Sequence, residues 1–256
     1  MAKGISLHFG INDYSFRGQS NLGGCINDAI SMKKIADSFK YDSYIFKDSK
    51  ATYKNLVYSL INASTKLFDG DILFITFAGH GSQIKDNGKD EPDNEDSYIL
   101  LYDDDFYDDE LMVLLKLFRE GVRVFCIFDS CQSSTMIDTD VSARDGKEID
   151  RLISKLGESF RKSIQKINKF ELKCSAKSLS GVWDSRYASD GAGLNGLFTE
   201  YLLKVWDEGK YKKNIRTYFY DVRLKLVNEK GSYYMPTYQK RGPGISKFNS
   251  MRPYEI

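Results

Sequence analysis

Short apolar runs alternate along the chain with segments whose apolar residues recur at helical spacing. The longest of the runs, Ile72 to Ala78 and Val122 to Phe128, are almost entirely apolar, as is typical of strands buried on both faces. The pattern predicts strands at 5–9, 44–46, 71–78, 122–128, 170–176 and 233–239, and helices at 25–39, 53–68, 109–118, 197–206 and 217–228. This alternation predicts an α/β fold with a mainly parallel sheet of six or more strands, flanked by helices.

The composition narrows the classes of protein to be considered. The 256 residues contain four cysteines and no C-x-x-C motif, which does not fit a disulfide scaffold. The apolar runs are far shorter than the roughly 20 residues that span a bilayer, and no signal peptide is recognised. Basic residues are scattered rather than gathered on one face, which does not fit a nucleic-acid-binding protein. We therefore expect a cytoplasmic protein that binds neither membranes nor nucleic acids.

Negative charge is concentrated in one segment, although the formal net charge is only +1. Twelve carboxylate residues lie between Asp86 and Glu110, with Lys89 as the single basic residue among them. Such a cluster repels itself unless it is solvated in a loop or neutralised by a cation. Both interpretations stay open at this point.

The two histidines of the chain differ in their settings. His8 lies inside the first predicted strand, which favours a structural role. His80 lies between two glycines just after a buried strand, and Cys131 follows the next buried strand in the segment Asp-Ser-Cys. The carboxyl ends of parallel strands meet at one edge of a sheet, so we expect these two side chains to lie close together. A thiol paired with an imidazole is the arrangement of a cysteine nucleophile with its general base. We expect Cys126 and Cys174 to be buried, unreactive thiols.

Five motifs occur in the order found in one family. They are GINDY at 10–14, GGCINDA at 23–29, GHGSQ at 79–83, DEPDNED at 90–96 and NGLFTEYLL at 195–203. With FAGHG and Asp-Ser-Cys, they resemble the caspase-fold cysteine peptidases, and most closely the metacaspases and the bacterial orthocaspases. The resemblance covers most of the chain. It implies a caspase-like sandwich in a single domain, 1–256, with a large-subunit-like part (1–131), an exposed excursion (132–169) and a small-subunit-like part (170–256).

The resemblance also implies roles for individual residues. His80 and Cys131 would be the catalytic pair, and the backbone N–H groups of Gly81 and Cys131 would hold the oxyanion. In the family, the positions of Cys25, Asp28 and Asp129 line the pocket for the side chain before the cleaved bond (the P1 residue). That implies cleavage after Arg or Lys in protein substrates. Many family members have Ser where this chain has Ala78, which removes one hydrogen-bonding group from that pocket. Asp28 is also placed to stabilise a helix N-terminus, which is the structural alternative for it.

Regulation is predicted on the same basis. Asp96, Asp108, Asp109 and Asp138 match carboxylates that bind calcium in many metacaspases, so we expect Ca²⁺ to be an activator. Arg144, Lys147 and Arg151 lie in the predicted excursion and are candidate sites of autocleavage. We expect a monomer. A catalytically silent scaffold and a transpeptidase or ligase on the same fold are the two alternative functions.

Overall fold

A six-stranded sheet forms the centre of a computed structural model that describes residues 2–85, 95–130, 136–137, 145–157, 161, 171–181 and 195–256. The strands are β1 (Gly4–Gly10), β2 (Asp42–Lys47), β3 (Ile72–Ala78), β4 (Gly81–Lys85), β5 (Glu95–Leu100), β6 (Asp105–Tyr107), β7 (Arg123–Asp129), β8 (Ser175–Gly181) and β9 (Thr237–Arg241). The central sheet has the order β2-β1-β3-β7-β8-β9, and only β9 runs antiparallel to its neighbour. The predicted α/β fold is confirmed.

Seven α-helices lie within the described ranges. They are α1 (Cys25–Ser38), α2 (Tyr53–Lys66), α3 (Asp108–Leu115), α4 (Asp145–Leu156), α5 (Leu197–Trp206), α6 (Ile215–Lys230) and α7 (Ile245–Ser250). Local chemistry fixes several of their ends. The side chains of Thr52 and Asn214, for example, accept backbone N–H groups at the first turns of α2 and α6. None of the described helices is long and apolar enough to cross a membrane.

Two hydrophobic clusters cover the opposite faces of the central sheet. Alternate residues of β3 enter different clusters: Leu73 and Ile75 pack with α2 and α3, whereas Phe74 packs with α1, α5 and α6. Successive side chains of a strand point to opposite faces, so a strand covered on both sides tends to be apolar on both. This explains why apolar residues dominate β3 and β7, with Thr76 in β3 and Arg123 and Asp129 in β7 as the polar ones.

A second, smaller sheet follows β3 and is not predicted from the sequence. Strands β4, β5 and β6 form an antiparallel sheet in that order. It begins directly after His80, and a backbone hydrogen bond from Leu100 N to His80 O ties it to the end of β3. The small sheet therefore positions the backbone that follows His80.

Three sequence predictions are corrected by the structure. The strand predicted at 170–176 is instead β8, Ser175–Gly181, and the strand predicted at 233–239 begins only at Thr237. The stretch 132–169, predicted to be an exposed excursion, contains α4. Leu152 on α4 is fully buried in the core, so the prediction is wrong for 145–156.

The buried side chains of the central sheet agree with the roles expected from the sequence. Cys126 and Cys174 are buried free thiols, and burial raises the pKa of both. His8 is fully buried, its Nδ1 lies 2.9 Å from Thr76 Oγ1, and burial lowers its pKa to about 3. His8 is therefore a neutral structural residue.

Candidate active site

The ends of β3 and β7 lie side by side at the carboxyl edge of the sheet. Ala78 is the register partner of Asp129, and a hydrogen bond from Gly79 N to Asp129 O (3.3 Å) continues the ladder by one residue. His80 is the next residue on one chain segment. Ser130, on the other, is the last described residue before Cys131, which itself lies outside the described residues.

The imidazole of His80 is oriented by a backbone carbonyl. Its Nε2 lies 2.8 Å from Ser20 O in the loop after β1. A carbonyl oxygen only accepts, so Nε2 carries the proton and Nδ1 is the basic nitrogen in the neutral ring. The ring also packs against the edge of Tyr14, with 4.6 Å between ring centroids. The contact with Ser20 O therefore fixes the orientation of the ring and the nitrogen that carries its proton.

Tyr14 connects the histidine to the small sheet. Its hydroxyl accepts a hydrogen bond from His80 N (2.9 Å) and donates one to Leu100 O (2.9 Å). The side chain is fully buried. A Cβ at Gly79 would lie 2.3 Å from the Tyr14 hydroxyl, so only glycine permits this approach of the backbone. The sequence analysis did not single out Tyr14, although it ends the GINDY motif.

The three residues predicted to bind the substrate side chain lie together behind the strand ends. Cys25 begins α1, Asp28 lies in its first turn, and Asp129 ends β7; all three are buried. Asp28 and Asp129 raise the pKa of the Cys25 thiol further, beyond the larger effect of its burial. Cys25 is therefore a neutral side chain beside the two carboxyl groups.

The N-terminus of α5 holds the two carboxylates. Gly196 N donates to Asp28 Oδ1 (2.8 Å), and Thr199 N donates to Asp129 Oδ2 (2.8 Å). A Cβ at Gly196 would lie 2.9 Å from Asp28 Oδ2 and 2.8 Å from Asp129 Oδ2. A side chain at Gly196 would therefore crowd both carboxylates. It lies in the NGLFTEYLL motif, but its contact with β7 and α1 is visible only in the fold.

Burial makes both carboxylates difficult to ionise. Burial raises the pKa of Asp28, and the neighbouring Asp129 raises it further; burial also raises the pKa of Asp129. Asp28 Oδ2 and Asp129 Oδ1 are buried and have no hydrogen-bond partner within the described residues. Burial therefore favours the protonated form of these carboxyl groups. A positively charged group beside them would favour their ionised form.

The remaining predicted site residues are only partly described. Gly81 begins β4 and pairs with Ile99. Asp108 and Asp109 are buried at the start of α3, where Asp108 Oδ2 accepts from Ser97 N (3.2 Å). Asp96 lies in β5, but its side chain is not described, and Asp138 lies outside the described residues. Among the described residues, no group of three or more His, Cys, Asp or Glu side chains could hold a metal.

The candidate autocleavage residues differ in their surroundings. Arg151 lies within α4, where its Nε is 3.4 Å from Glu110 Oε1 and its guanidinium stacks 3.9 Å from the Tyr107 ring centroid. Cleavage after Arg151 would therefore require local unfolding of α4. Lys147 also lies in α4, without a described side chain, and Arg144 lies outside the described residues.

Comparison with known proteins assigns the family. Residues 6–140, which include His80, Asp129 and Cys131, match the model of the metacaspase, peptidase C14 domain. The chain belongs to the metacaspase family. Metacaspase-1B of Neurospora crassa is 29% identical over 214 residues, covering 76% of this chain and 49% of that protein. Metacaspase-1 of Plasmodium falciparum is 33% identical over 150 residues, covering 52% of this chain and 24% of that protein.

A solved structure is similar to this fold over almost the whole chain. A crystal structure of protein GSU0716 from Geobacter sulfurreducens superposes with a TM-score of 0.73 and 27% sequence identity, covering 99% of both chains. The curated metacaspases are longer: this chain spans between about a quarter and a half of those two relatives.

Proposed function

We propose that this metacaspase-family chain is a cysteine endopeptidase that cleaves after Arg or Lys in protein substrates. Cys131 is the nucleophile in this proposal, and His80 is the general base and acid. Asp28 and Asp129 bind the basic P1 side chain, and Cys25 lines the same pocket. The observation that carries the proposal is the pair of buried carboxylates, each with an unpartnered oxygen, next to the strand end that precedes His80.

The proposed reaction follows from the tautomer of His80. Nδ1 removes the thiol proton of Cys131, and the thiolate forms a bond to the carbonyl carbon of the substrate. Backbone N–H groups, proposed as those of Gly81 and Cys131, stabilise the oxyanion. His80 then protonates the amine as the C–N bond breaks. A water molecule, deprotonated by His80, hydrolyses the thioester and restores the thiol.

The preference for a basic side chain rests on charge compensation. An Arg or Lys side chain in the pocket supplies the positive charge that the buried carboxyl groups lack, and it favours their ionised form. Arg forms two parallel hydrogen bonds with a carboxylate, whereas Lys interacts as a point charge. An acidic P1 side chain would add negative charge to a buried site that already holds two carboxyl groups, which is strongly unfavourable.

Calcium activation and autocleavage are part of the proposal. Asp96, Asp108, Asp109 and Asp138 would supply the oxygen ligands that Ca²⁺ prefers, and the ion would act outside the chemical step. Autocleavage is proposed after Arg144, Lys147 or Arg151. We expect millimolar Ca²⁺ to raise both the melting temperature and the rate, and Asp109→Asn to weaken both effects. Equal values with Ca²⁺ and with chelator would contradict calcium activation.

A covalent probe tests the proposed site directly. A peptidyl arginyl chloromethyl ketone should add one inhibitor mass to the wild-type chain at Cys131, as located by peptide mass mapping. Cys131→Ala and His80→Ala should remain unlabelled. The matched control is Cys174→Ala, which removes a buried thiol outside the proposed site and should be labelled like the wild type.

Two results would contradict the proposal. Labelling at Cys25, Cys126 or Cys174 with Cys131 unmodified would reject the proposed nucleophile. Labelling by an aspartyl chloromethyl ketone at the same rate would reject the basic pocket. Transfer of the acyl group to an added amine in place of hydrolysis would support the ligase alternative.

A further inference from the structure

A cavity of about 860 Å³ opens at the amino-terminal end of the central sheet, at the opposite end from His80. It lies where β1 begins and where α1 and α2 end on opposite faces of the sheet. We call it the amino-end pocket and define it by Lys3, Ile5, Phe39, Lys40, Lys66 and Phe68, which line it. Its volume falls in the range of small-molecule sites, about 300–1,000 Å³.

The floor of the amino-end pocket is apolar. Ile5 is buried there, and Phe39 is half-buried. Phe68, which also lines the pocket, is 51% exposed. The guanidinium of Arg119 lies 4.0 Å from its ring centroid. The pocket therefore offers an apolar surface with an aromatic wall next to positive charge.

The rim of the amino-end pocket is basic. Lys3, Lys40 and Lys66 come from three different segments and are exposed. None of the three forms an ion pair within the part of the chain that the structure describes. Asp42 is the acidic residue of the lining, and its Oδ2 accepts a hydrogen bond from Tyr44 Oη. Positive charge thus exceeds negative charge around the opening.

Helix stabilisation explains only part of this charge. Lys66 ends α2 and Lys40 follows α1, where cations interact favourably with the helix dipole. Lys3, however, precedes a strand. Lys40 has φ = 63°, a left-handed conformation that glycine usually takes after a helix and that costs other residues roughly 1–2 kcal/mol. Lys40 therefore reaches the rim from a backbone conformation that glycine usually takes.

We propose that the amino-end pocket binds an amphipathic anion, with its apolar body on Phe39 and Phe68 and its carboxylate, sulfonate or phosphate group at the three lysines. The proposal is independent of the peptidase function, because the pocket lies one strand length from His80, roughly 20 Å for seven residues.

Fluorescence titration of the intact chain with 8-anilinonaphthalene-1-sulfonate tests the proposal. We expect a single saturable site, from which decanoate displaces the dye and decyltrimethylammonium does not. The double variant Lys40→Gln, Lys66→Gln should raise the dissociation constant at least fivefold, and so should Phe68→Ala. The matched control is Lys54→Gln, an exposed lysine at the start of α2 that does not line the pocket; it should leave the dissociation constant within twofold.

A second measurement separates the pocket from nonspecific dye binding. Decanoate should raise the melting temperature of the wild type and of Lys54→Gln, and not that of the double variant. The proposal is overturned if the double variant binds as the wild type does, if Lys54→Gln weakens binding equally, or if the cationic detergent competes as well as decanoate. Hydrolysis of an arginyl peptide should be the same in all these variants.

Discussion

The carboxyl end of the central sheet carries buried acids, whereas the amino end carries exposed lysines. At the carboxyl end, Asp28 and Asp129 receive N–H groups from α5 but no cation from the described residues. At the amino end, Lys3, Lys40 and Lys66 are solvated and surround a wide cavity. Solvated charges need no partner, while buried charges do. Buried carboxyl groups without a cation therefore mark the proposed catalytic end better than cavity volume does.

Replacing His80 should produce the largest difference in activity between variants at the two ends of the sheet. We expect His80→Ala to lower kcat/KM for an arginyl peptide by about 10³-fold or more, because the thiol loses its general base. The Lys66→Gln variant at the other end should keep the wild-type value. Continuous fluorogenic assays of both variants measure the difference, and a loss below tenfold for His80→Ala would contradict its assigned role.

Neutralising one buried acid should have the next largest effect. Asp129→Asn keeps an oxygen that can accept from Thr199 N but removes the negative charge. We expect kcat/KM for an arginyl peptide to fall roughly 100-fold, about 3 kcal/mol, mostly through KM. Steady-state kinetics measure the two constants separately. An unchanged KM would mean that Asp129 does not contact the substrate.

The separation of the two acids can be tested without changing charge. Gly196 has φ −57° and ψ 156°, which alanine also adopts, and the atoms nearest to a methyl group there belong to the two carboxylates. We expect Gly196→Ala to raise KM for an arginyl peptide roughly tenfold, about 1.4 kcal/mol of lost binding. Circular dichroism should show a folded protein. A wild-type KM would reject the close approach of the two carboxylates.

The raised pKa values of Asp28 and Asp129 predict that ligand affinity and the free energy of unfolding change in opposite directions with pH. The pKa values of Asp28 and Asp129 are raised in the folded protein, mainly by burial. The pair therefore stabilises the fold below the ordinary carboxyl pKa, and this contribution is lost as pH rises through the raised pKa values. A cationic ligand prefers the ionised pair, so its affinity should rise with pH, by at most about tenfold per pH unit for each proton released.

Calorimetry with a reversible arginyl inhibitor measures this linkage. Binding in buffers of different ionisation enthalpy should report proton release from the wild type. Asp129→Asn, which lacks one of the two titrating carboxyls, should release fewer protons. Proton uptake on binding would contradict a raised pKa for the pair.

The sequence predicted the fold best where burial on both faces dictates composition. Apolar residues dominate strands β3 and β7, and both strands were predicted nearly to the residue. Strand β8, Ser-Ala-Lys-Ser-Leu-Ser-Gly, is also buried but largely polar. Lys177 in this strand donates to Tyr238 Oη (2.5 Å) on β9, and burial lowers its pKa to about 7. A strand stabilised by such tertiary contacts has no apolar pattern to recognise.

Helix α4 and the small sheet were missed for different reasons. Charged residues dominate the segment that contains α4, although Ile149, Leu152, Ile153 and Leu156 have the spacing of a helix. The small sheet β4 to β6 was missed because its strands are short and depend on pairing with one another.

The candidate site was predicted in part. Motifs drew attention to His80, Asp28 and Asp129, and their roles stay predictions. Ser20, Tyr14 and Gly196 were not predicted, because each acts through a contact between segments far apart in the chain. Ser20 and His80, for example, are 60 residues apart. Sequence patterns indicate reactive groups more readily than the backbone atoms that orient them.

Hydrolysis of two matched fluorogenic peptides, one ending in Arg and one in Asp, tests the central claim most directly. The wild-type chain, assayed with calcium, should cleave the arginyl peptide at least 100-fold faster than the aspartyl peptide, about 2.7 kcal/mol of discrimination. Cys131→Ala should cleave neither. Faster cleavage of the aspartyl peptide, or undiminished cleavage by Cys131→Ala, would contradict the account.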